Sequence, residues 1–324
     1  MPQSAFLQTK FLVPRKNPGW LTRPRLLKQL DDNASKRMIL VSAPAGYGKT
    51  TLLSDFANSE EINFAWYQLD AMDNDPSVFL GYLVETFRRT LQVDNTQKSM
   101  PFGSATLALL ENLEEEQVGY QHILIVLINE LLEIIGNHWA LVLDDYHLIT
   151  NLAVHQMVDY LLENAPPDLL FIISSRVTPP LRLAHLRARG MLAELRSEDL
   201  RFTSQEIEAW FRIQTTEISD KSLQLLDEKT HGWAAALQIV LSSIQRQDIE
   251  STEQFIAGIS GAHRFIYDYL AEEVFRRLPS DWQEFLLATS VLEKMNDEIC
   301  NALLNREDSS EILEDLERSN LCLT

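Results

Sequence analysis

The first two thirds of the chain alternate between short apolar runs and longer amphipathic stretches. The apolar runs, the first of which contains β-branched residues, predict buried strands at 37–42, 62–70, 139–143 and 169–174. The amphipathic stretches predict helices at 49–60, 76–91, 123–135 and 152–163. Strands that are apolar on both faces and separated by helices are typical of a parallel sheet covered on both sides. We therefore predict an α/β, doubly wound domain at residues 37–202.

The strand pattern is absent from two parts of the chain. Residues 94–121 are polar and predict a loop or insertion that could contain some helix. After Phe202 only helical patterns remain, beginning with a helix that Thr203 or Ser204 caps and that has Glu206 in its first turn. Further helices are predicted at 219–245, 251–258, 263–278, 280–289 and 309–319. The second part is therefore predicted to be all-helical.

The end of the chain carries two weaker signals. A break in the helices is expected near Ser260 and Gly261. The final segment, NLCLT at 320–324, has the composition of a strand that is just starting. We therefore expect the native protein to continue beyond this sequence.

Composition narrows the class of protein. A length of 324 residues favours two or three domains, and 45% apolar residues is ordinary for a globular protein with a core. No run of eighteen apolar residues and no signal-peptide core occurs, so we expect no membrane association. The two cysteines, Cys300 and Cys322, form neither a disulfide framework nor a zinc pattern. Ordinary thiols in a reducing compartment predict a cytoplasmic protein.

The charge of the chain is uneven. The whole chain carries a net charge of −19, which is unfavourable for binding DNA or anionic lipid. Residues 1–37 nevertheless contain eight Lys or Arg and two Asp, a balance of +6, which leaves −25 for the rest. Such a basic arm could clamp the acidic body, reach a polyanionic ligand, or simply be a solvated extension.

The most specific chemical signal is the segment APAGYGKTT, residues 43–51. Small residues let consecutive backbone N–H groups turn toward phosphate oxygens, a lysine neutralises the β and γ phosphates, and a hydroxyl binds Mg²⁺. Ala43 stands where this pattern usually has its first glycine. A strand before the segment and a helix after it complete the expected context. The predicted nucleotide-binding residues here are Ala45, Gly46, Tyr47, Gly48, Lys49, Thr50 and Thr51.

A second signal is the segment WALVLDD at 139–145. It places two carboxylates at the C-terminal tip of a buried strand, where open α/β sheets bind ligands. We predict that Asp144, with Thr50, holds the Mg²⁺ shell, and that Asp145 polarises the attacking water or helps to order the metal. No glutamate follows Asp144, so slow hydrolysis is expected.

A third signal is Arg176, which ends the strand FIISSR. An arginine at this position can reach a γ-phosphate and report its presence, the alternative being a surface arginine that closes a strand. We expect Arg182, Arg187 and Arg189 to form a solvated or ion-paired helix instead. Neither His147 nor His155 has metal-ligand partners at a suitable spacing.

With these motifs in order, the chain resembles the signal-transducing ATPases with numerous domains, the STAND class. The likeness is in particular to the ATPase module of MalT-like activators and large LuxR-type regulators. The segments that carry it run in order over nearly the whole chain and are TKFLVPR, LTRPRLLKQL, VSAPAGYGKTTLL, WYQLDAMDNDP, LVLDDYHLI, FIISSR, LRARG, LRFTSQEI, THGWAAALQ and HRFIYDYLAEEV.

The resemblance implies a domain plan and a switch. A basic segment at 1–36 and the NTPase core would be followed by a helical lid at 203–260 and an incomplete winged-helix domain at 261–324. ADP would be buried at rest, and exchange for ATP, promoted by an inducer, would open the module for self-association. The inducer and DNA would bind only through C-terminal regions outside this sequence.

The resemblance also assigns two further contacts to the adenine nucleotide. The segment around Arg23 would lie over the adenine and ribose. Gly232 and Trp233 would occupy the place of a G-x-P turn against the nucleotide, although Ala234 replaces its proline.

Three functions follow as hypotheses. The first is a slow ATPase acting as the switch of a transcription regulator. The second is a metabolic P-loop kinase or fast NTPase, for which no acceptor-positioning group is evident in the sequence. The third is an NLR-like defence or signalling ATPase, which only the effector region would distinguish from the first.

Overall fold

The computed structural model describes residues 6–59, 62–92, 101–112, 119–136, 139–214, 218–246, 256, 272, 275–292 and 294–318. The chain divides into two compact units. The first, here called the α/β unit, comprises Met1–Lys16, Pro24–Ser42 and Lys49–Arg196. The second, here called the helical unit, comprises Asn17–Arg23, Ala43–Gly48 and Ser197–Thr324. No described helix is both long and apolar enough to cross a membrane.

The α/β unit is built on a five-stranded parallel sheet. Its strands are β1 (Met38–Ser42), β2 (Asn63–Gln68), β3 (Trp139–Asp144), β4 (Leu169–Ser175) and β5 (Leu192–Leu195). They lie side by side in the order β2-β3-β4-β1-β5. Every residue of β1, β3 and β4 is buried, as strands covered on both faces require. The predicted α/β class with a parallel sheet is confirmed.

Helices connect the strands and complete the core of the α/β unit. They are α1 (Pro24–Asp31), α2 (Lys49–Ser59), α3 (Pro76–Gln92), α4 (Ser104–Glu111), α5 (Tyr120–Ile134), α6 (Leu152–Asn164) and α7 (Leu183–Ala188). On α3, Phe79, Leu83, Phe87 and Leu91 recur at four-residue spacing, which predicts a single buried face. The first three are fully buried and Leu91 is partly buried against the same core. They belong to a single apolar cluster with the sheet and with residues of α5 and α6.

Three elements of this unit were not located by the sequence analysis. Helix α1 lies in the segment 1–36, for which no helix was predicted. The short strand β5 contains the charged Glu194, which weakens its apolar signal in the sequence. Among the described strands it pairs with β1 alone, and this pairing sets its position. Helix α4 lies within the stretch 94–121, where only a loop with some helix was expected. Its N-terminal N–H groups at Ala105 and Thr106 donate to the Glu130 carboxylate on α5. Its apolar residues pack against the main core, which outweighs the polar flanks.

Two lysine side chains of the basic N-terminal arm are ion-paired with the α/β unit. The Lys10 ammonium lies 2.7 Å from Asp73 and 2.9 Å from Asp70. The Lys16 ammonium lies 2.9 Å from Asp55 on α2. For these two side chains, the first of the three alternatives for the arm is therefore the one observed.

The helical unit begins with α8 (Ser197–Leu200), α9 (Ser204–Ile213), α10 (Asp220–Thr230) and α11 (Ala234–Arg246). Thr203 caps α9 and forms the reciprocal capping box with Glu206, as predicted. The prediction of continuous helix over 219–245 was wrong. His231 and Gly232 both have positive φ, which ends α10 and starts a new helix two residues later.

The last described helices are α12 (Ser280–Thr289), α13 (Asp297–Leu304) and α14 (Ser309–Arg318). They enclose a small core of Phe285, Cys300, Ile312 and Leu316. Helix α13 was not predicted; Asn296 caps it and the buried Cys300 anchors it. Most of the helix predictions at 251–258 and 263–278 lies outside the described residues, although Ile256 is described as helical. The break near Ser260 and the strand at 320–324, with Cys322, also lie outside them.

Candidate nucleotide site

The predicted phosphate loop, Ala43–Gly48, connects β1 to α2 along the chain. Gly46 and Gly48 have φ angles of 79° and 77°, a left-handed conformation that glycine adopts without steric cost. Ala45, which precedes the first of these glycines, and Tyr47, which lies between the two, are buried. Lys49 is the first residue of α2, so the strand–loop–helix context that a phosphate cradle requires is present.

Within the helical unit, two carbonyl groups of this loop are hydrogen-bonded to the turn that precedes α11. The indole Nε1 of Trp233 donates to the carbonyl oxygen of Ala45 over 3.2 Å. The backbone N–H of Ala235 donates to the carbonyl oxygen of Gly46 over 3.0 Å. The predicted site residue Trp233 is thus brought to the loop backbone.

Gly232 makes this turn possible. Its φ is 69°, and a Cβ added to it would lie 2.3 Å from the carbonyl oxygen of Phe202. Its own carbonyl accepts a 2.9 Å hydrogen bond from the Phe202 N–H. A glycine is therefore required here both by the backbone conformation and by the close approach of another segment.

Arg23 lies in the same unit and is buried. Its guanidinium donates to the Leu200 carbonyl over 2.7 Å and stacks 4.6 Å from the centre of the Phe202 ring. Arg23 also borders the loop, since a Cβ on Gly48 would lie 3.7 Å from its Nη2. The structure therefore brings Arg23 to Gly48 of the predicted loop.

In the α/β unit, the Asp144 carboxylate contacts Thr50, the threonine predicted to share the Mg²⁺ site with it. The Thr50 hydroxyl donates to Oδ2 of Asp144 over 2.9 Å. Asp144 is fully buried, and its Oδ1 accepts the backbone N–H of Asp145 over 3.1 Å. Burial and the neighbouring Asp145 charge raise the pKa of Asp144, while the hydrogen bonds from Thr50 and the Asp145 backbone oppose that rise. Asp145 itself has a φ of 58°, an uncommon conformation for a residue other than glycine.

The charges around Lys49 form the second part of this arrangement. Burial, and to a smaller extent the positive charge of Arg176, lower the pKa of Lys49 to about 8, although the charges of Asp145 and Asp144 act in the opposite direction. Lys49 and the half-buried Arg176 are thus close enough for their positive charges to repel each other. Two cations beside two carboxylates can accommodate a polyanion together with a divalent metal ion.

The remaining polar residues named from the sequence have local partners. Arg182 pairs with Glu163, and Arg187 pairs with Glu194, as expected for an ion-paired helix. His155 is hydrogen-bonded through Nδ1 to the Tyr146 hydroxyl at 3.0 Å. Among the described residues, no cluster of three or more His, Cys, Asp or Glu side chains could hold a metal ion by itself. Thr51, on α2 after Thr50, has no described contact with these groups.

Two contributors were missed by the sequence analysis. Phe202 carries the ring beneath Arg23, and Ala235 supplies the N–H that binds the loop. The glycine at 232, directly after a run of helical residues, was an available signal for a helix end. No sequence signal identifies a backbone donor such as that of Ala235.

Comparison with known proteins agrees with the motifs. The family model described as "MalT winged helix domain" matches residues 271–324. The HTH-type transcriptional regulator MalT of Vibrio campbellii is 32% identical over 328 residues, which cover 98% of this chain and 34% of the relative. The regulator of the same name from Yersinia enterocolitica is 35% identical over 319 residues, which cover 97% of this chain and 34% of the relative.

The chain therefore spans about a third of the length of these relatives, 34% in each case. Among solved structures, a Walker-type ATPase of Pyrococcus abyssi superposes with a TM-score of 0.57 at 13% identity, over 96% of this chain and 93% of that one. At this low identity, the likeness is evidence only for the fold. Taken together with the sheet and the winged-helix match, these likenesses identify the chain as a MalT-like module with a P-loop NTPase fold.

Proposed function

We propose that this chain is an adenine-nucleotide switch, a slow ATPase module that controls a transcription regulator. The observation that carries the proposal is the 2.9 Å hydrogen bond between Thr50 and Asp144. It joins the residue that follows the phosphate-loop lysine to the carboxylate at the end of β3, which are the two groups that a Mg²⁺-nucleotide requires.

The phosphate loop would hold the nucleotide through its backbone. Positive φ angles at Gly46 and Gly48 allow consecutive N–H groups to face an anion, and the N-terminus of the eleven-residue α2 favours negative charge. Lys49 would neutralise the β and γ phosphates. The other nucleotide-binding residues that we propose are Ala45, Tyr47, Thr51 and, over the adenine and ribose, Arg23. Gly232 and Trp233 are proposed as part of the site through the turn that is hydrogen-bonded to the loop.

The side chains of Thr50 and Asp144 fit a magnesium site. Both offer oxygen ligands, and Mg²⁺ commonly takes only one or two protein ligands besides water and phosphate. When bound, the metal ion would neutralise phosphate charge during transfer. Without the metal ion, the Thr50 hydroxyl donates a hydrogen bond to the buried Asp144 carboxylate and holds it in place.

Hydrolysis is expected to be slow because of the residue that follows Asp144. Asp145 stands where a longer carboxylate could serve as a stronger base, and its left-handed backbone conformation restricts where its side chain can point. We propose that Asp145 orients water and that Arg176 contacts the γ-phosphate. The mutual repulsion of Arg176 and Lys49 supports this role, since an added anion would relieve it.

The partners of the whole regulator follow from the names of the relatives. The relatives are named HTH-type transcriptional regulators, and this chain covers 34% of each. We propose that DNA and the inducer bind to parts of the regulator outside this third. We propose that the module self-associates in its ATP state and works in the cytoplasm. We also propose the domain boundaries given above, with a lid at 203–260. These relatives favour a regulator over a metabolic kinase or a defence ATPase.

The direct test is to denature the purified protein and identify the released nucleotide by chromatography. We expect ADP at close to one equivalent, and none from Lys49→Ala. Lys229→Ala, which changes a lysine of α10, is the matched control and should retain ADP. Guanine nucleotide, or full ADP retention by Lys49→Ala, would contradict the proposal. If the wild-type site is empty, ADP titration of the same protein must show Lys49-dependent binding.

A further inference from the structure

We propose that Trp233 is a positioning residue that holds the phosphate loop in its binding conformation from the outer side. Its effect is exerted on loop carbonyl groups, not on the nucleotide. This inference rests on the proposed function, because it assumes that the loop Ala43–Gly48 binds phosphate. It assigns to the turn before α11 a role different from the direct nucleotide contact that the family resemblance implies.

The first step is the direction of the loop's polar groups. When N–H groups turn toward an anion, the neighbouring carbonyl oxygens point away from it and need other donors. Two successive carbonyls of the loop have such donors. Ala45 accepts from the Trp233 indole over 3.2 Å, and Gly46 accepts from the Ala235 N–H over 3.0 Å.

The second step is the type of side chain. Among the apolar aromatic residues, tryptophan alone carries an N–H donor on a large ring. Phenylalanine would fill a similar space without donating, so this position allows the hydrogen bond to be separated from the packing. The indole donor at 3.2 Å therefore distinguishes Trp233 from a residue that serves only the core.

The third step is the rigidity of the turn that presents the indole. His231 and Gly232 both have positive φ, and the Trp233 N–H donates to the Thr230 carbonyl over 2.9 Å. The Gly232 carbonyl accepts from the Phe202 N–H over 2.9 Å. The turn cannot shift without breaking these bonds, so the two donors to the loop are held as a pair.

The consequence is a thermodynamic coupling. If the free loop samples other conformations, a donor pair that stabilises the binding conformation raises the competent fraction and therefore the apparent affinity. By linkage, bound phosphates stabilise the contacts of the turn to the same extent. Nucleotide binding and the packing of the turn before α11 thus reinforce each other through the Ala45 and Gly46 carbonyls.

The test compares nucleotides that differ in phosphate number. In Trp233→Phe, we expect affinity for ADP and ATP to fall about three- to tenfold, the range expected for one lost hydrogen bond. Affinity for AMP, which lacks the β-phosphate, should change less than about twofold by competition against a fluorescent ADP analogue. Trp282→Phe is the matched control, because it makes the same chemical change among the helices α12–α14 and should alter none of these affinities.

A second variant removes the other donor and keeps Trp233. Ala235→Pro lacks the N–H that binds the Gly46 carbonyl, at a first-turn position where a helix tolerates proline. Gln205→Pro, at the corresponding second residue of α9, controls for the general cost of this substitution. We expect Ala235→Pro, and not Gln205→Pro, to show the same selective loss for ADP over AMP.

The outcomes separate the two proposals. If wild-type protein binds ADP and both Trp233→Phe and Ala235→Pro bind it equally well, the positioning role is wrong and the nucleotide site stands. An equal loss for ADP and AMP would also overturn it, because it would indicate contact with the nucleoside. If wild-type protein binds no adenine nucleotide, both the proposed function and this inference fail.

Discussion

The hydroxyl of Thr50, in the first turn of α2, donates a hydrogen bond to Oδ2 of Asp144, the last residue of β3, over 2.9 Å. The two residues are 94 positions apart, and β4 lies between the strands that lead to them. Asp144 is fully buried, so its charge depends on the groups that solvate it in place of water. Thr50 and the Asp145 backbone N–H are two of those groups.

The first prediction concerns the charge of Asp144. Asp144→Asn keeps an oxygen that can accept from Thr50 and removes the negative charge. We expect Mg²⁺ to increase the affinity of wild-type protein for ADP. In Asp144→Asn this increase should be smaller by a factor of at least about ten, the size of effect found for groups around metal sites. ADP titrations with Mg²⁺ and with EDTA measure the difference. The exposed Asp168→Asn should behave like wild type, and an unchanged Mg²⁺ effect in Asp144→Asn would refute the assignment.

The second prediction is the pH dependence of ADP binding. Burial and Arg176 lower the pKa of Lys49 to about 8, so above that pH the free protein has lost a proton that the phosphates require. We expect constant affinity below pH 8 and a fall approaching tenfold per pH unit above it. Calorimetry in buffers of different ionisation enthalpy should detect proton uptake of up to about one per ADP near pH 9, and close to none at pH 6.5.

The same shift has a defined effect on stability. Between pH 8 and pH 10.5, where an ordinary lysine titrates, the folded protein has released the Lys49 proton while the unfolded chain keeps it. The free energy of unfolding therefore rises with pH in this window, relative to Lys49→Met. Arg176→Ala should move the midpoint above 8, since it removes a repelling charge, whereas Arg182→Ala, which breaks an exposed ion pair, should not. An unmoved midpoint in Arg176→Ala would show that its charge does not act on Lys49.

The third prediction concerns Arg23. Arg23→Ala removes the stacking on Phe202 and the hydrogen bond to the Leu200 carbonyl, for a combined cost of about 2–4 kcal/mol. We expect a lower thermal midpoint and faster dissociation of ADP in stopped-flow chase experiments. For Arg23→Lys, the thermal midpoint and the ADP dissociation rate should lie between those of wild type and Arg23→Ala, because lysine keeps the charge and loses the planar stacking.

The exposed Arg25→Ala controls for a general loss of charge in the arm. Unchanged ADP dissociation in Arg23→Ala, with a lowered thermal midpoint, would leave Arg23 with a structural role only.

The fourth prediction concerns stability of the α/β unit. The buried guanidinium of Arg37 donates to five backbone carbonyls, those of Leu161, Leu162, Ala165, Pro166 and Leu169. Arg37→Met leaves these acceptors without their donor, which should cost about 3–5 kcal/mol. Urea unfolding followed by far-UV circular dichroism measures the loss. Lys36→Met, which removes one donor to the Gly190 carbonyl, should cost less than about 1 kcal/mol. Comparable losses in the two variants would contradict this account of Arg37.

The sequence analysis succeeded where the signal is local. The periodic face of α3, the capping box of Thr203 and Glu206, and the four longest strands are each encoded within a few neighbouring residues. It failed where an element depends on its neighbours. Strand β5 forms by pairing with β1. Helix α4 is stabilised by the hydrogen bond from its N-terminus to Glu130 and by packing against the core.

The groups of the candidate site can be recognised in the amino-acid sequence alone: a loop with glycines at 46 and 48, a lysine at its end, and paired carboxylates after a buried strand. These are properties of residue type and short spacing, which the chain carries before it folds. Only the tertiary structure decided the strand order, the burial that lowers the pKa of Lys49, and the bond between Trp233 and Ala45 across 188 positions. The physical reason is that desolvation and hydrogen bonds between distant segments depend on packing, which no local pattern specifies.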